Sequence, residues 1–443
     1  MKNTSRNVFV FITKSIIIKI FIFVFLLTPF ILSQSRLSLP DLINKALKKN
    51  TDMLFAKTEV NISELNRKKA LSAVLPNINF ESSYIYTRVK NGIPLFVGTN
   101  GENEKIAGLS INQPIFRPSK IYDLKASNID VDKQNLIRNE TKQNIIQSVI
   151  NTYFNVLKYK GEKRILNENI KAFELLYQQS KILFESGNVP EIDVKKSKVE
   201  LLLQKNILRR TEKNYTSSLN NLKLLIGQSF NDSLTIQDFK INTIKLQSLK
   251  AYINYPWQNR PDWEILKLDK ELSDIKKTTA FMKNLPNISA NLFYGWDVNG
   301  RLNNSNLGVQ AVVSVSMPLW HWGGVKAGYQ IAEIQQEQIS LAIKKLKFQI
   351  QHQITDSYNE AKLQKEQITA MLESTSEAKT AVKMAKLGYT EGTITNLEFI
   401  NTQKLLLQSE MEYQKALYNF YSAKAALFKN LGRLKEDLSW LEQ

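Results

Sequence analysis

The sequence predicts a mainly α-helical exported protein in which a helix–strand–strand–long helix–helix unit occurs twice, with four strands that contribute to a transmembrane β structure. Three observations predict this fold class. The N-terminus has the layout of an export signal. Five short landmarks recur in the same order in the two halves of the chain. Apolar residues follow the helical spacing over most of each half but alternate over segments of about ten residues.

Residues 1–35 have the layout of a secretory signal peptide. Four cations and no acid precede an apolar run from Ile20 to Leu32, and the small residues Ser33 and Ser35 follow it. A transmembrane anchor is the alternative, but the unbroken run is shorter than the ~20 residues that span a bilayer. We therefore expect the mature chain to begin near Arg36 and to leave the cytoplasm.

Composition excludes several kinds of site. The chain has no cysteine, which removes thiol chemistry, Cys-ligated zinc and the lipid-attachment residue of lipoproteins. With only His321 and His352 present, we expect no metal site, and we expect no cofactor. The net charge of +19 is spread along the predicted helices among Asp and Glu. This pattern favours solvated helix surfaces, or a basic channel lining, over nucleic-acid binding.

The chain is interpreted as a tandem duplication. Each landmark of the first half has a counterpart in the second half: Ser38–Asp41 and Asn259–Asp262, Leu75–Ile78 and Leu285–Ile288, Ser110–Phe116 and Ser314–Trp320, Gly187–Asp193 and Gly392–Glu398, Leu225–Gly227 and Asn430–Gly432. The expected divisions are a first repeat over 36–230, a linker or equatorial segment over 231–258, a second repeat over 259–432 and a C-terminal tail over 433–443.

Capping residues, prolines and apolar spacing predict the helices in order. The first helix of each repeat is expected over Pro40–Val74, with a break near Lys49 and Asn50, and over Pro261–Asn284. The long helices are expected over Ser119–Glu185 and Gly323–Leu387, and their shorter partners over Pro190–Ile226 and Thr395–Leu431. Apolar seams with coiled-coil-like spacing predict that these helices pair.

Twofold alternation predicts strands at about 77–90, 105–116, 287–299 and 307–319. Their length suits a tilted transmembrane strand. Aromatic residues near the hairpin ends of the apolar face are expected to form a membrane girdle: Tyr84, Tyr86, Tyr294 and Trp296. The alternative is a half-buried sheet in a soluble domain.

Four strands cannot close a barrel, because closure takes at least ~8 strands. An open sheet in lipid would leave the N–H and C=O groups of its edges unpaired, which a bilayer does not tolerate. If the strands face lipid, the protomers must therefore associate around a shared pore.

The order of these features resembles the TolC-like outer-membrane efflux proteins, or outer membrane factors. The similarity includes Leu-Pro-Asn before each first strand, at Leu75 and Leu285, and a glycine six residues before an acid at each helix–helix tip, at Gly187 and Gly392. It covers almost all of Arg36–Gly432. The resemblance implies a homotrimer with a 12-stranded barrel in the outer-membrane lipid of a Gram-negative bacterium and an α-helical barrel crossing the periplasm.

The resemblance also implies a function. The chain would be the exit channel for small molecules in a tripartite efflux system, with a periplasmic adaptor (membrane fusion) protein and an inner-membrane transporter as partners. The outer-membrane duct of a type I protein secretion system shares this architecture and is an alternative. A soluble periplasmic coiled-coil scaffold is the alternative from another class. No enzyme is expected, since no phosphate-binding loop, metal motif or nucleophile signature occurs.

The resemblance places a periplasmic gate at the helix–helix tips. Glu398 matches the first of two acids that ring the aperture, and the second matching position is Asn401, an amide. Asp193 and Tyr389 match positions that link neighbouring coiled coils in the closed state. A ring of carboxylates would favour cations, whereas a solvated surface charge or a helix cap is the alternative role for Glu398 and Asp193.

The basic partners that the family places at this gate are missing, because Ile394 and Leu417 stand where arginines are typical. A closed-state lock would therefore use fewer ion pairs. The turns themselves are expected at the two tip glycines. The residues expected to contact the adaptor are Gly187, Val189, Pro190, Gly392, Ile394 and Leu397.

Overall fold

The computed structural model describes residues 36–91, 93–94, 103–240, 244–255, 257–299, 307–435 and 438. The expected signal peptide over 1–35, much of the expected tail over 433–443 and parts of both strand–strand loops lie outside the described residues.

Two helices lead into the first strand pair, α1 (Leu39–Lys49) and α2 (Thr51–Ser72). Ser38 and Asp41 form a capping box that starts α1. Asn50 separates the two helices, and its side chain accepts a hydrogen bond from the backbone N–H of Asp52 at 2.9 Å. The break expected near Lys49 and Asn50 is present because Asn50 leaves the helical conformation and caps α2.

The strands are β1 (Asn77–Tyr86), β2 (Val89–Lys90), β3 (Ile93–Pro94), β4 (Asn103–Phe116), β5 (Asn287–Asn299) and β6 (Leu307–Ser316). Strands β1, β4, β5 and β6 form one antiparallel sheet in that order, and β2 pairs with β3 in a separate hairpin. The two repeats meet at the centre of the sheet, where β4 of the first repeat pairs with β5 of the second along most of their length.

Two expected strand ends need correction. The strand expected over 77–90 ends at Tyr86, because Val89 and Lys90 pair with Ile93 and Pro94 rather than continuing along β4. The strand expected over 307–319 ends at Ser316. Pro318 follows shortly after, and proline has no N–H with which to extend the ladder.

The remaining helices are α3 (Pro118–Glu185), α4 (Glu191–Leu225), α5 (Leu249–Ile253), α6 (Pro261–Met282), α7 (Gly324–Thr390) and α8 (Asn396–Asn430), with a 3₁₀ turn over Trp257–Asn259. Helices α3 and α7 contain 68 and 67 residues, so each is about 100 Å long. Each folds back on a shorter partner, α3 on α4 and α7 on α8, which gives two long helical hairpins. No described helix has an apolar stretch long enough to cross a bilayer.

The largest apolar cluster lies in the middle of the molecule, where α1, α3, α7 and α8 meet. Its largest fully buried side chains include Tyr153, Phe154, Phe420, Tyr421 and Phe428. Tyr153, Phe154, Tyr421 and Phe420 form a chain of ring contacts, with 5.4 Å between the ring centroids of Phe154 and Tyr421. Burial of these large side chains contributes to the stability of the fold.

The segment expected to be a linker or equatorial region, 231–258, packs into this cluster. Ile236 and Tyr252 are buried, and Ile236 forms a β-bridge with Leu37 at the other end of the first repeat. The Tyr153 hydroxyl donates a hydrogen bond to the carbonyl of Gln237 at 2.8 Å. The segment is therefore part of the core as well as a connection between repeats.

Candidate functional site

The four-stranded sheet presents one apolar face and one polar face. The register aligns Phe80, Leu109, Tyr294 and Val309 across the four strands, and all four are exposed in the single chain. The expected girdle residues Tyr84, Tyr86, Tyr294 and Trp296 lie on this apolar face and are also exposed. An unburied apolar surface across a whole sheet face marks a place that lipid or another protein covers.

The opposite face carries polar and small residues. Ser110 is buried and donates a hydrogen bond to the carboxylate of Glu81 on the neighbouring strand. A cavity of about 580 Å³ opens on this face, and Phe293 and Gln310 contribute to its lining.

The Phe293 ring lies over two paired glycines at the centre of the polar face. A Cβ atom added to Gly108 would lie 2.6 Å from the ring of Phe293 and 2.6 Å from the carbonyl oxygen of Tyr294. Gly108 pairs with Gly295, where an added Cβ would also meet the neighbouring backbone. The Phe293 ring and the neighbouring backbone therefore occupy the space that side chains at these two positions would need.

Both edges of the sheet are open. Strand β1 pairs only with β4 and strand β6 only with β5 among the described residues. The outer backbone groups of β1 and β6 therefore have no ladder partner within the described part of the chain. In a membrane such groups have to pair with another chain.

The helical hairpins end in two matching tight turns. Gly187 and Gly392 have φ values of +75° and +74°, which L-residues with side chains rarely adopt. Val189 is partly buried and Pro190 and Leu397 are exposed. Ile394 is partly buried, and its side chain packs against Gly388 and the apolar cluster at the tip.

The structure places Glu398 in a capping box at the start of α8. Its Oε2 accepts hydrogen bonds from the backbone N–H and the hydroxyl of Thr395 at 2.9 and 2.8 Å. These hydrogen bonds, the backbone one first, hold the pKa of Glu398 below its usual value. Asn401 is exposed one turn further along α8.

Asp193 is partly exposed near the start of α4, whereas Tyr389 is buried. The carboxylate of Asp193 lies 3.8 Å from the ammonium group of Lys196 on the same helix. Tyr389 is buried, and its ring packs against Phe399 at a centroid distance of 5.7 Å. Burial raises the pKa of the Tyr389 hydroxyl, and the charge of Asp193 adds to this increase.

Tyr389 belongs to a buried network of uncharged side chains that joins all four tip helices. Its hydroxyl lies 2.9 Å from that of Ser180 on α3, which lies 2.9 Å from that of Ser197 on α4. Asn396 at the start of α8 donates to Ser197 at 3.0 Å and to the carbonyl oxygen of Asp193 at 2.8 Å. The network therefore connects the hairpin of the first repeat to that of the second.

Sequence reasoning missed Ser180, Ser197 and Asn396. A signal was available, because Ser180 follows Phe173 and Leu176 at the spacing of a buried helical seam, where a hydroxyl has to find a partner. No expected site residue is contradicted, but the tip is joined by hydroxyl and amide groups whose importance the sequence pattern did not indicate.

Among the described residues, no group of His, Asp and Glu side chains is arranged to hold a metal ion. Leu417, one of the positions where a family arginine is typical, is fully buried in the central cluster.

The sequence profile described as "Outer membrane efflux protein" matches residues 42–228 and 267–433, which together cover more than half of the chain. Among curated proteins, the outer membrane protein TolC of Escherichia coli K12 is 23% identical over 420 residues, covering 91% of this chain and 81% of TolC. TolC of Vibrio cholerae is 19% identical over 410 residues, with coverage of 90% and 91%.

Solved structures have the same fold. The CmeC outer membrane channel of Campylobacter jejuni matches with a TM-score of 0.80 at 16% identity, covering 90% of this chain and 87% of CmeC. The MtrE outer membrane channel of Neisseria gonorrhoeae matches with a TM-score of 0.75 at 16% identity, covering 90% of each chain.

Proposed function

Because the chain belongs to the outer membrane efflux protein family, we propose that three copies form the exit duct of a tripartite efflux assembly that exports small molecules. The chain is an outer-membrane efflux channel protein of Gram-negative bacteria that extends into the periplasm. The finer proposal concerns its stoichiometry, its partners and its gate. The observation that carries it is a four-stranded sheet with one apolar face, one polar face and two open edges.

The open edges support closure between copies. Strand β6 of one protomer can pair with β1 of the next, which satisfies the backbone groups that each sheet leaves exposed. Three sheets of four strands then make a barrel of 12 strands, above the minimum of ~8 for a closed transmembrane barrel. The apolar faces would point to outer-membrane lipid and the polar faces to a water-filled lumen.

The helical hairpins support a continuous duct. Helices α3 and α7 leave the same end of the sheet and are each about 100 Å long. Around a threefold axis they would enclose a tunnel across the periplasm. An adaptor protein would contact exposed tip residues such as Pro190 and Leu397, and an inner-membrane transporter would supply the energy.

We place the gate of this duct at the tip. Glu398 would line the aperture, with Asn401 one turn away, so that each protomer contributes one carboxylate and one amide. The uncharged network of Ser180, Ser197 and Tyr389 would hold the hairpin of the second repeat against that of the first in the closed state. Asp193 would contribute its backbone carbonyl, through Asn396, and its carboxylate would remain with Lys196.

A type I secretion duct has the same architecture, and the proposal for small molecules rests on the family's efflux function. A soluble periplasmic scaffold does not fit an outer-membrane efflux protein.

Purified full-length protein in detergent tests the architecture. We expect single-particle images to show a threefold particle longer than the ~100 Å of its long helices, and planar bilayers to show discrete channels. A monomer that stays dispersed without detergent, or particles that give no current, would contradict the proposal.

A further inference from the structure

The end of the sheet where the helices join the strands carries an exposed tryptophan pair that the girdle does not include. Leu319, Trp320 and Trp322 are 87%, 72% and 89% exposed between β6 and α7. The two indole rings contact each other edge to face at 5.8 Å, and Trp322 has a positive φ of 46°. The chain thus holds two large aromatic side chains outward at a position where nothing in the described part of the protomer covers them.

This pair follows the apolar face of the sheet along the chain. Val313, Val315 and Met317 are exposed along β6 and just beyond it, and they lead directly to Leu319 and Trp320. The girdle residues Tyr84, Tyr86 and Trp296 lie toward the opposite, loop end of the same face. Tryptophan is enriched where hydrocarbon meets lipid head groups, so its position at the helix end marks the second boundary of the apolar band.

Lysines from three helices lie at the same end of the sheet. Lys68 and Lys69 lie in the last turns of α2, Lys283 caps the C-terminus of α6 and Lys326 lies in the first turn of α7. All four are exposed, and no described carboxylate lies within ion-pair distance of any of them. Nearby lysines differ, since Lys277 is paired with Glu333 at 3.0 Å.

Helix ends account for only part of the charge at this end. Lys68, Lys69 and Lys283 lie at helix C-termini, which favour cations. Helices α3 and α7 begin here, and neither has an acid in its first turn. The other helices longer than ten residues, α1, α2, α4, α6 and α8, all begin with an acid. Since the N-terminus of a helix carries a partial positive charge, this end of the sheet combines two helix N-termini that have no acid in the first turn with four lysines that have no ion-pair partner among the described residues.

We propose that Trp320, Trp322, Lys68, Lys69, Lys283 and Lys326 form a basal collar that binds the head groups of anionic glycerophospholipids at the periplasmic face of the outer membrane. The indoles would lie at the level of the ester groups and the lysines would contact the phosphates. This inference rests on the proposed function, because it requires the sheet to be inserted in a bilayer.

The tryptophans of the collar serve as their own reporters. Full-length protein is reconstituted in bilayers of phosphatidylcholine and phosphatidylglycerol, in which only one of the two lipids carries bromine, a quencher of indole fluorescence, on its acyl chains. The quenching of the pair is the quenching of the wild-type protein minus that of the double variant Trp320→Phe, Trp322→Phe. Trp296 in the girdle, measured through Trp296→Phe, is the internal standard for insertion.

We expect brominated phosphatidylglycerol to quench the pair at least about threefold more effectively than brominated phosphatidylcholine at low salt, since one lysine near an anionic surface changes affinity about fivefold. The preference should fall as salt is raised. It should disappear in a variant with Lys68, Lys69, Lys283 and Lys326 replaced by glutamine. A control with Lys198, Lys213, Lys383 and Lys386 replaced by glutamine loses the same charge from exposed positions on the helical hairpins and should keep the preference.

Three results would overturn the collar. Equal quenching by the two lipids means that the pair meets lipid without recognising its charge. Quenching of Trp296 but not of the pair means that a neighbouring protomer covers Trp320 and Trp322. If the control variant loses the preference for phosphatidylglycerol as fully as the collar variant does, the preference depends only on the net charge of the protein. If Trp296 is not quenched and no channels form, the proposed membrane function itself fails.

Discussion

At the scale of single residues, a buried network of hydroxyl and amide groups joins the two hairpins at the tip of the molecule. Tyr389, Ser180, Ser197 and Asn396 are all buried and satisfy one another. Buried polar groups of this kind are costly to leave without a partner. The network is therefore specific, because its members are all satisfied in the relative position of the two hairpins seen in this structure.

Loss of the network should release the gate. Ser197→Ala removes the hydroxyl that receives the hydrogen bond of Asn396 and contacts Ser180, at a cost of about 1–3 kcal/mol for the groups left unsatisfied. We therefore expect the open fraction of single channels in planar bilayers to increase. Ser376→Ala, at an exposed position on α7, is the matched control and should leave gating unchanged. Equal gating in both variants would show that the network is only structural.

Glu398 has two roles that can be separated by substitution. Glu398→Gln keeps a residue that can complete the capping box but removes the charge, so we expect a lower cation preference in reversal-potential measurements and little change in thermal stability. Thr395→Ala keeps the charge but removes the cap, so we expect an unchanged cation preference and a lower thermal stability. Unchanged selectivity in Glu398→Gln would show that this carboxylate does not line the pore.

The pH dependence follows from the same hydrogen bonds. The pKa of Glu398 is lower in the folded chain than its ordinary value of 4.5. Its contribution to stability is therefore present above that ordinary value and is lost as pH falls through the depressed pKa. Cation preference due to Glu398 should persist on acidification to below the usual range of glutamate. A loss of preference near neutral pH would assign the selectivity to another group.

At the scale of secondary-structure elements, close packing around glycine determines how β4 and β5 join the two repeats. Gly108→Ala would force a methyl group against the Phe293 ring and the Tyr294 carbonyl. We therefore expect the variant to form much less of the oligomer that stays assembled in detergent, as measured by gel electrophoresis. Gly308→Ala, on the same face and paired with Gly295, meets open space and should assemble normally. Normal assembly of both variants would mean that the sheet can relax around the methyl group.

Arg260 joins the start of the second repeat to its end, at the C-terminus of α8. Its guanidinium group donates to Asp262 at 2.7 Å, to the carbonyl of Asn430 at 2.8 Å and to Gln353 at 2.9 Å. Because the side chain is nearly buried, Arg260→Ala should lower the free energy of unfolding by about 3 kcal/mol, measured as loss of helical circular dichroism in denaturant. Lys267→Ala, an exposed position on α6, should change stability by less than about 0.5 kcal/mol.

At the scale of the whole molecule, the open edges of the sheet determine the assembly. The natural chain has no cysteine, so single cysteines can be placed without background. We expect a double variant with Ser82→Cys on β1 and Ala311→Cys on β6 of the same chain to be crosslinked between copies by a short bismaleimide. The crosslinked species on a gel should end at a trimer. Ala107→Cys on the interior strand β4 should not crosslink. A ladder that ends at two or four chains would contradict threefold closure.

Much of this architecture could be read from local pattern. Alternation identified the strands, capping residues located the break at Asn50, and repeated landmarks such as Gly187 and Gly392 placed the turns. The strand over 77–90 was too long in our prediction because β2 and β3 pair with each other, a choice that depends on partners in space. Ile394 was identified only by its position next to a turn, and its packing against Gly388 could not be read from that position.

The amino-acid sequence by itself determined the duplication, the order of helices and strands and the apolar face of the sheet, because periodicity and capping act over a few neighbouring residues. Only the tertiary structure decided that β4 pairs with β5, that Ile236 and Tyr252 from the segment between the repeats enter the core and that Ser180, Ser197, Tyr389 and Asn396 meet at the tip. These contacts join residues up to about two hundred positions apart, and no local preference specifies which distant partner a buried hydroxyl or a strand edge will find.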